Sequence, residues 1–175
     1  AAYRIAREIF SKISPNVKSI GDQPNGRNIN NHVGSTHLEA IRKLVKEESL
    51  DIGFAFDGDG DRLLVVDKEG TLYDGDVLVY IIANYLKKNN LLKDNKVVLT
   101  KMSNLGVLRA LREQGIDYIL TDIGDKYVLD ALEKNNLSIG GENSGHIINM
   151  NLLNTGDGML NAVYLLKILT EENRT

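Results

Sequence analysis

Residues 52–66 read Ile52-Gly53-Phe54-Ala55-Phe56-Asp57-Gly58-Asp59-Gly60-Asp61-Arg62-Leu63-Leu64-Val65-Val66. Two short apolar runs flank an aspartate–glycine cluster. Runs this short, rich in aromatic and β-branched residues and bounded by glycine, predict strands rather than helices. Just beyond, Lys68-Glu69-Gly70 reads as a turn, and Asp74-Gly75 is a second turn signal within 72–76. A hairpin then gives way to a long apolar helix over 77–87, and a boundary between two units is placed near residue 73.

Upstream, Tyr3, Ile5, Ala6, Ile9, Phe10 and Ile13 recur at helical spacing, and Pro15 stops that helix. Residues 17–20 predict a short strand. The stretch 21–35 is polar, with Gly, Asn and Pro, and predicts a loop. Thr36 and Glu39 have the spacing of a capping box, ahead of a helix that presents Leu38, Ile41, Leu44 and Val45 on one face.

Downstream, strands and helices alternate. Strands are expected at 97–100, 116–121, 137–140 and 146–150, and helices at 105–114, 126–134 and 155–169. Ser103-Asn104 and Asp125 are the candidate caps of the first two helices. This rhythm implies βαβ units. The fold expected is α/β: two small three-layer α/β/α units with mixed, mostly parallel sheets, spanning 1–72 and 73–175.

The chain has 175 residues, 42% hydrophobic and 26% charged, a globular balance with enough apolar side chain for a core. Lys plus Arg is 21 and Asp plus Glu is 24, so the net charge is 21 − 24 = −3. With no basic block, nothing points to nucleic acid. The absence of cysteine removes disulfides, thiolate metal sites and cysteine nucleophiles, and fits a reducing compartment. The longest apolar run, 77–83, falls far short of the ~20 residues that span a membrane. Ala1-Ala2-Tyr3-Arg4 has neither a signal peptide's layout nor an initiator Met, so the chain reads as a piece of something longer.

Asp57, Asp59 and Asp61 place three carboxylates within five residues, separated only by glycine. Like charges so close are costly unless a cation neutralises them. Glycine lets the backbone fold tightly enough for their oxygens to converge. Hard oxygen donors suit Mg²⁺ or Ca²⁺. Arg62, directly behind, is a fixed cation able to hold a phosphate beside the metal. Three other readings compete. An EF-hand loop needs Gly where Arg62 stands and Glu where Lys68 stands, and its flanks are helices. A dehalogenase-type phosphatase would use Asp57 as phosphoryl acceptor with Asp59 beside it, leaving Asp61 and Arg62 unexplained. An acidic surface turn in a hairpin accounts for one Asp-Gly better than for three.

A second cluster is Gly140-Gly141-Glu142-Asn143-Ser144-Gly145-His146. Glu142, Ser144 and His146 sit at spacing two, so in an extended segment they project to one side. Carboxylate, hydroxyl and imidazole together suit sugar hydroxyls; a polar hairpin loop with a solvated histidine explains the same residues. No serine has a hydrolase-nucleophile context. His32 and His37 read as solvated or capping residues. Gly124-Asp125-Lys126 offers amides and an ammonium to an anion at a helix start, or simply an Asp cap followed by a solvated Lys. Tyr80, Tyr85 and Tyr164 read as core-edge residues, and Lys87-Lys88 as a favourable helix C-terminal pair.

Taken together, the two clusters resemble the metal-binding loop and the sugar-binding loop of the α-D-phosphohexomutases. Their separation of about 80 residues also fits. Asn28-Ile29-Asn30, Gly34-Ser35-Thr36-His37, Met102-Ser103-Asn104-Leu105-Gly106, Gly124-Asp125-Lys126-Tyr127-Val128 and Thr155-Gly156-Asp157-Gly158-Met159 resemble the family's bacterial phosphoglucosamine mutase branch. The resemblance covers nearly the whole chain.

It implies a four-domain parent enzyme, an intramolecular phosphotransferase, of which this chain is most of the second domain and the third. A phosphoserine in the first domain would give its phosphoryl group to a hexose monophosphate. A bisphosphate would turn over in the site and return the other phosphate. Asp57, Asp59 and Asp61 would hold Mg²⁺; Arg62 would contact the serine phosphate; Glu142 and Ser144 would grip sugar hydroxyls; His146 would help position the reacting end. The implied reaction interconverts glucosamine 6-phosphate and glucosamine 1-phosphate, in cytoplasmic amino-sugar metabolism toward cell-wall precursors. Other phosphohexomutases remain the alternative within the family. The family's Ser-His-Asn loop and C-terminal phosphate loop are absent, so the fragment is expected to be inactive alone and to bind metal weakly. Lys126 stands where this branch has Arg, and Asn25 where it has Asp; Lys makes no bidentate phosphate contact, which leaves Lys126 a lesser phosphate ligand.

Overall fold

The structure is a computed structural model and describes residues 2–172. Strand β1 (Ile52–Phe56) and β2 (Leu63–Asp67) are antiparallel, paired from Ile52 with Asp67 to Phe56 with Leu63. The aspartate cluster is therefore the loop of a β-hairpin. β3 (Leu72–Tyr73) adds to the other edge of β2, also antiparallel. Alternation along β1 sends Gly53 and Ala55 to one face and Phe54 and Phe56 to the other. Helix α2 (Glu39–Glu47) lies so close on the first face that a Cβ at Gly53 would meet Val45 and Ile41. On the second face, Phe10 of α1 (Ala2–Ile13) stacks on Phe54 and Phe56, with ring centroids 5.3 and 6.2 Å apart.

Two local expectations fail in this region. Residues 17–20 form no strand; they lie mostly exposed in irregular backbone. Apolar content makes a strand only where a ladder partner satisfies its backbone, and among the described residues none pairs with them. Thr36 does not cap α2 either. A turn closed by the His37 N–H donating to the Gly34 carbonyl (3.1 Å) delays the helix to Glu39, with Leu38 at its cap. The Thr36 hydroxyl instead meets His37 Nδ1 at 3.1 Å.

The second sheet has the order β5-β4-β6-β7. β4 (Lys96–Thr100) runs parallel to β5 (Asp117–Thr121) and β6 (Ile139–Gly141), and β7 (Ile147–Asn149) returns antiparallel. The connecting helices are α3 (Gly75–Lys88), α4 (Leu105–Glu113), α5 (Asp125–Lys134) and α6 (Gly158–Glu171). Central strand β4 reads Val97-Val98-Leu99, all with no exposed surface, as a strand covered on both faces must. Val97 and Leu99 face the cluster built from α3, α4 and α6, while Val98 faces Val128 and Leu132 of α5.

The fold is thus α/β, with three layers around each sheet. Parallel pairing is confined to the second sheet. One apolar core runs beneath both: Leu63 and Val65 share it with Leu78, Ile82, Leu165 and Ile168. α6 touches β1, β2 and β7.

Candidate active site

The hairpin loop folds around its own first carboxylate. Asp57 Oδ1 accepts from the backbone N–H of Gly60 (3.1 Å) and of Arg62 (3.2 Å), which curls residues 58–61 back over the strand end. Gly60 takes φ of +83°, a backbone that side chains disfavour. One oxygen each from Asp57, Asp59 and Asp61 then lies within 4.8 Å of the others. At that spacing each pair repels by roughly 3–4 kcal/mol for an effective dielectric near 20, and by about 1 kcal/mol in bulk water. Arg62 offsets part of this, with Nε 3.6 Å from Asp57 Oδ2 and 4.0 Å from Asp61 Oδ1. Asp61 Oδ1 is buried with no hydrogen-bond donor among the described residues. An orphaned carboxylate oxygen beside two further carboxylates is a donor set that fits a hard divalent cation.

The second cluster connects β6 to β7. It is a tight turn rather than the extended segment in which spacing two projects to one side. The Glu142 N–H donates to the His146 carbonyl and the Gly145 N–H to the Glu142 carbonyl, both at 3.0 Å. Convergence of Glu142, Ser144 and His146 therefore comes from chain reversal. The turn is also bonded to the first sheet: Leu63 N–H donates to the Gly145 carbonyl (3.0 Å), and Arg62 and His146 form an isolated antiparallel bridge. At this seam His146 Nδ1 stands 3.0 Å from Asp61 Oδ2.

Between the loops lies a cavity of about 320 Å³, bounded by Asp61 and Arg62 on one side and by Glu142, Asn143, Ser144 and His146 on the other, with residues 123–125 closing it. This is a volume suited to a small molecule. A larger hollow of about 580 Å³ lies between α1 and residues 22–24, and none of the motif residues lines it. Chemistry favours the smaller one. Glu142 and His146 are buried at its wall, and the Ser144 hydroxyl is buried with no partner among the described residues. Asp57 is not presented as a free nucleophile, since Oδ1 is held by two amides and Oδ2 faces Arg62.

The start of α5 differs from both readings of Gly124-Asp125-Lys126. Asp125 is the first helical residue, not the cap, and its Oδ1 accepts from Lys126 N–H at 2.8 Å. Gly124, at φ +131°, occupies the cap position, and its N–H donates to Glu142 Oε1 at 2.8 Å. The anion at this helix start is the chain's own glutamate. Lys126 is exposed and lies outside the cavity lining. His32 and His37 stand edge-to-face, with centroids 5.9 Å apart, in the polar loop away from the cavity. That loop nonetheless supports the hairpin: Ser35 N–H donates to the Phe56 carbonyl (3.0 Å), and Ile29 occupies the space beside Gly58.

One buried carboxylate escaped sequence reasoning. Asp76, in the first turn of α3, has no exposed surface and accepts from Ser103 Oγ (2.8 Å) and Asn104 N–H (2.7 Å). Burial pushes its carboxyl above the ordinary range, against the two donors. Asn104 caps α4 as expected, through Gly106 N–H at 2.7 Å, and Ser103 serves Asp76 instead. The signal available was Ser103 next to a residue that needed no second cap.

Residues 1–70 match the family model described as phosphoglucomutase/phosphomannomutase, alpha/beta/alpha domain II, and residues 74–175 match its domain III. Among curated relatives, the phosphoglucosamine mutase of Bacillus pumilus is 50% identical over the whole chain, and that of Streptococcus pyogenes serotype M12 is 46% identical over the whole chain. The chain spans 39% of the length of each. Among solved structures, a phosphoglucomutase/phosphomannomutase family protein from Burkholderia thailandensis superposes with a TM-score of 0.87 at 26% identity, covering 97% of this chain and 38% of that one. With its two loops meeting at one cavity and both of its halves matched, this chain belongs to the phosphoglucomutase/phosphomannomutase family.

Proposed function

We propose that this chain carries the metal loop and the sugar loop of a phosphoglucosamine mutase, which interconverts glucosamine 6-phosphate and glucosamine 1-phosphate. The observation that carries the reading is the contact of Asp61 with His146 at 3.0 Å, which joins two loops distant in sequence at the rim of one cavity. Asp57, Asp59 and Asp61 would hold Mg²⁺, which would neutralise charge on a transferring phosphoryl group. Arg62 would hold the phosphate beside it. Glu142, anchored by Gly124, and the unpartnered Ser144 hydroxyl would bind sugar hydroxyls, and His146 would orient the reacting end. Lys126 would lend general positive charge near the rim at most. The phosphoserine and the substrate-phosphate loop would come from first and fourth domains of the parent, and units 1–72 and 73–175 would be its second and third. Phosphoryl transfer asks for positioning and charge neutralisation rather than covalent chemistry from these side chains. No helix among the described residues is long and apolar enough to cross a membrane, and we place the reaction in the cytoplasm.

The test is conversion of glucosamine 6-phosphate by the intact protein, primed with a hexosamine 1,6-bisphosphate and supplied with Mg²⁺. Isomerisation that is lost in Asp61→Asn supports the reading. Release of inorganic phosphate instead of isomerisation overturns it. Residues 1–175 alone are expected to show no turnover.

A further inference from the structure

Between β7 and α6 the chain passes directly against the His146 imidazole. A Cβ placed on Gly156 would stand 2.4 Å from Cε1, 2.5 Å from Nε2 and 2.8 Å from Nδ1 of that ring, closer than side-chain carbons approach other atoms. His146 is 6% exposed, and its Nδ1 also meets Asp61 Oδ2 at 3.0 Å. The imidazole is therefore confined between the Asp61 carboxylate and the bare backbone of Gly156. Two residues on, the Gly158 N–H donates to the Gly60 carbonyl at 2.9 Å, and a Cβ there would lie 2.4 Å from the Arg62 carbonyl oxygen. The segment 155–158 thus touches the histidine with one glycine and the backbone of the aspartate loop with the other. The bond between Leu63 and Gly145 pins the two loops at a second point.

We propose that Gly156 is a positioning residue: its missing side chain forms the slot that seats the His146 imidazole against Asp61. The proposal rests on the functional reading above for its catalytic consequence, and on packing alone for the slot itself. An added methyl group cannot share the slot with the ring, so the imidazole loses its seat against Asp61. Glu142 and Ser144 are held from the other side, by Gly124 and by the turn, and stay in place. Gly158 provides the contrast, since its neighbours are backbone carbonyls and not the ring.

The experiment uses the intact protein carrying Gly156→Ala, Gly158→Ala, His146→Ala and the two double variants with His146→Ala. Thermal melting and steady-state kinetics on glucosamine 6-phosphate are the readouts. Gly156→Ala is expected to lower Tm and to reduce kcat by about 10–100-fold, the cost of a misplacement near 1 Å. KM is expected to move by less than about threefold, because the residues that grip the sugar are unmoved. In the His146→Ala background, Gly156→Ala should no longer lower Tm, because the ring it strikes is gone. Gly158→Ala should lower Tm equally in both backgrounds. Failure of Gly156→Ala to fold, with recovery in the double variant, supports the slot as well. An equal Tm loss from Gly156→Ala with and without His146 overturns it, as does an unchanged kcat in Gly156→Ala when His146→Ala itself lowers kcat. Full activity in His146→Ala would overturn the functional reading alone, while the melting comparison still decides the slot.

Discussion

Replacing Asp59 by Asn should make the metal-free chain more stable. Asp59 is the exposed member of the three carboxylates, and its side chain accepts no hydrogen bond among the described residues, so little bonding is lost with its charge. Its oxygen lies within 4.8 Å of an oxygen of Asp57 and of Asp61, so two repulsive pairs are relieved. Because Asp59 faces water, the solvent value applies: about 1 kcal/mol per pair, hence about 1–2 kcal/mol in all at low ionic strength. Denaturant unfolding of both proteins in EDTA measures the difference directly. Adding Mg²⁺ should shrink the difference, because a ligand that binds only the folded state stabilises by RT ln(1 + [L]/Kd), about 1.4 kcal/mol at tenfold excess over Kd. The variant, short one ligand, gains less. A variant no more stable than the parent in EDTA, or a difference that ignores both salt and Mg²⁺, would refute the reasoning.

Burial raises the Asp76 carboxyl, so the folded state holds that proton more tightly than the unfolded chain does. Its cost to stability is complete above the raised value and fades as pH falls toward the ordinary carboxylate value. Asp76→Asn should flatten the pH dependence of unfolding across that window, as read from denaturation midpoints at a series of pH values. Gly124→Ala forces a side chain onto φ +131° and should cost about 1–3 kcal/mol. It should also raise KM for the sugar phosphate as Glu142 loses its anchor, which steady-state kinetics checks. Leu86→Ala, at a position with no exposed surface in the shared core, should cost about 2–5 kcal/mol in the same unfolding assay.

Much of this fold was legible because its signals are local. The apolar runs of β1, β2 and β4, the stop after α1 at Pro15, and the Asn104 cap each depend on residues within a few positions. Both clusters were visible because spacing and residue type alone restrict their chemistry. Failures came where a distant partner decides. Residues 17–20 had strand composition and no ladder. Thr36 and Glu39 had capping spacing, but a turn closed onto Gly34 delays the helix to Glu39, and the Thr36 hydroxyl meets the His37 ring instead. Asp125 looked like a cap, yet Gly124 fills that place because its amide is engaged by Glu142, 18 positions away. Glu142, Ser144 and His146 were gathered for the wrong geometric reason, through a reversal and not an extended strand. Asp76 could not be seen as buried until α4 was folded against α3.

Helix α6 has a mechanical consequence. It closes the second sheet and also forms part of the floor under the aspartate hairpin. A polypeptide severed near Tyr73 would leave Leu165 and Ile168 facing water on one product and Leu63 and Val65 stripped of their α6 cover on the other. Neither half keeps a dry interior by itself. The two sheets should therefore melt together, in a single cooperative step, and the aspartate hairpin inherits its rigidity from a helix whose sequence lies about 100 residues downstream.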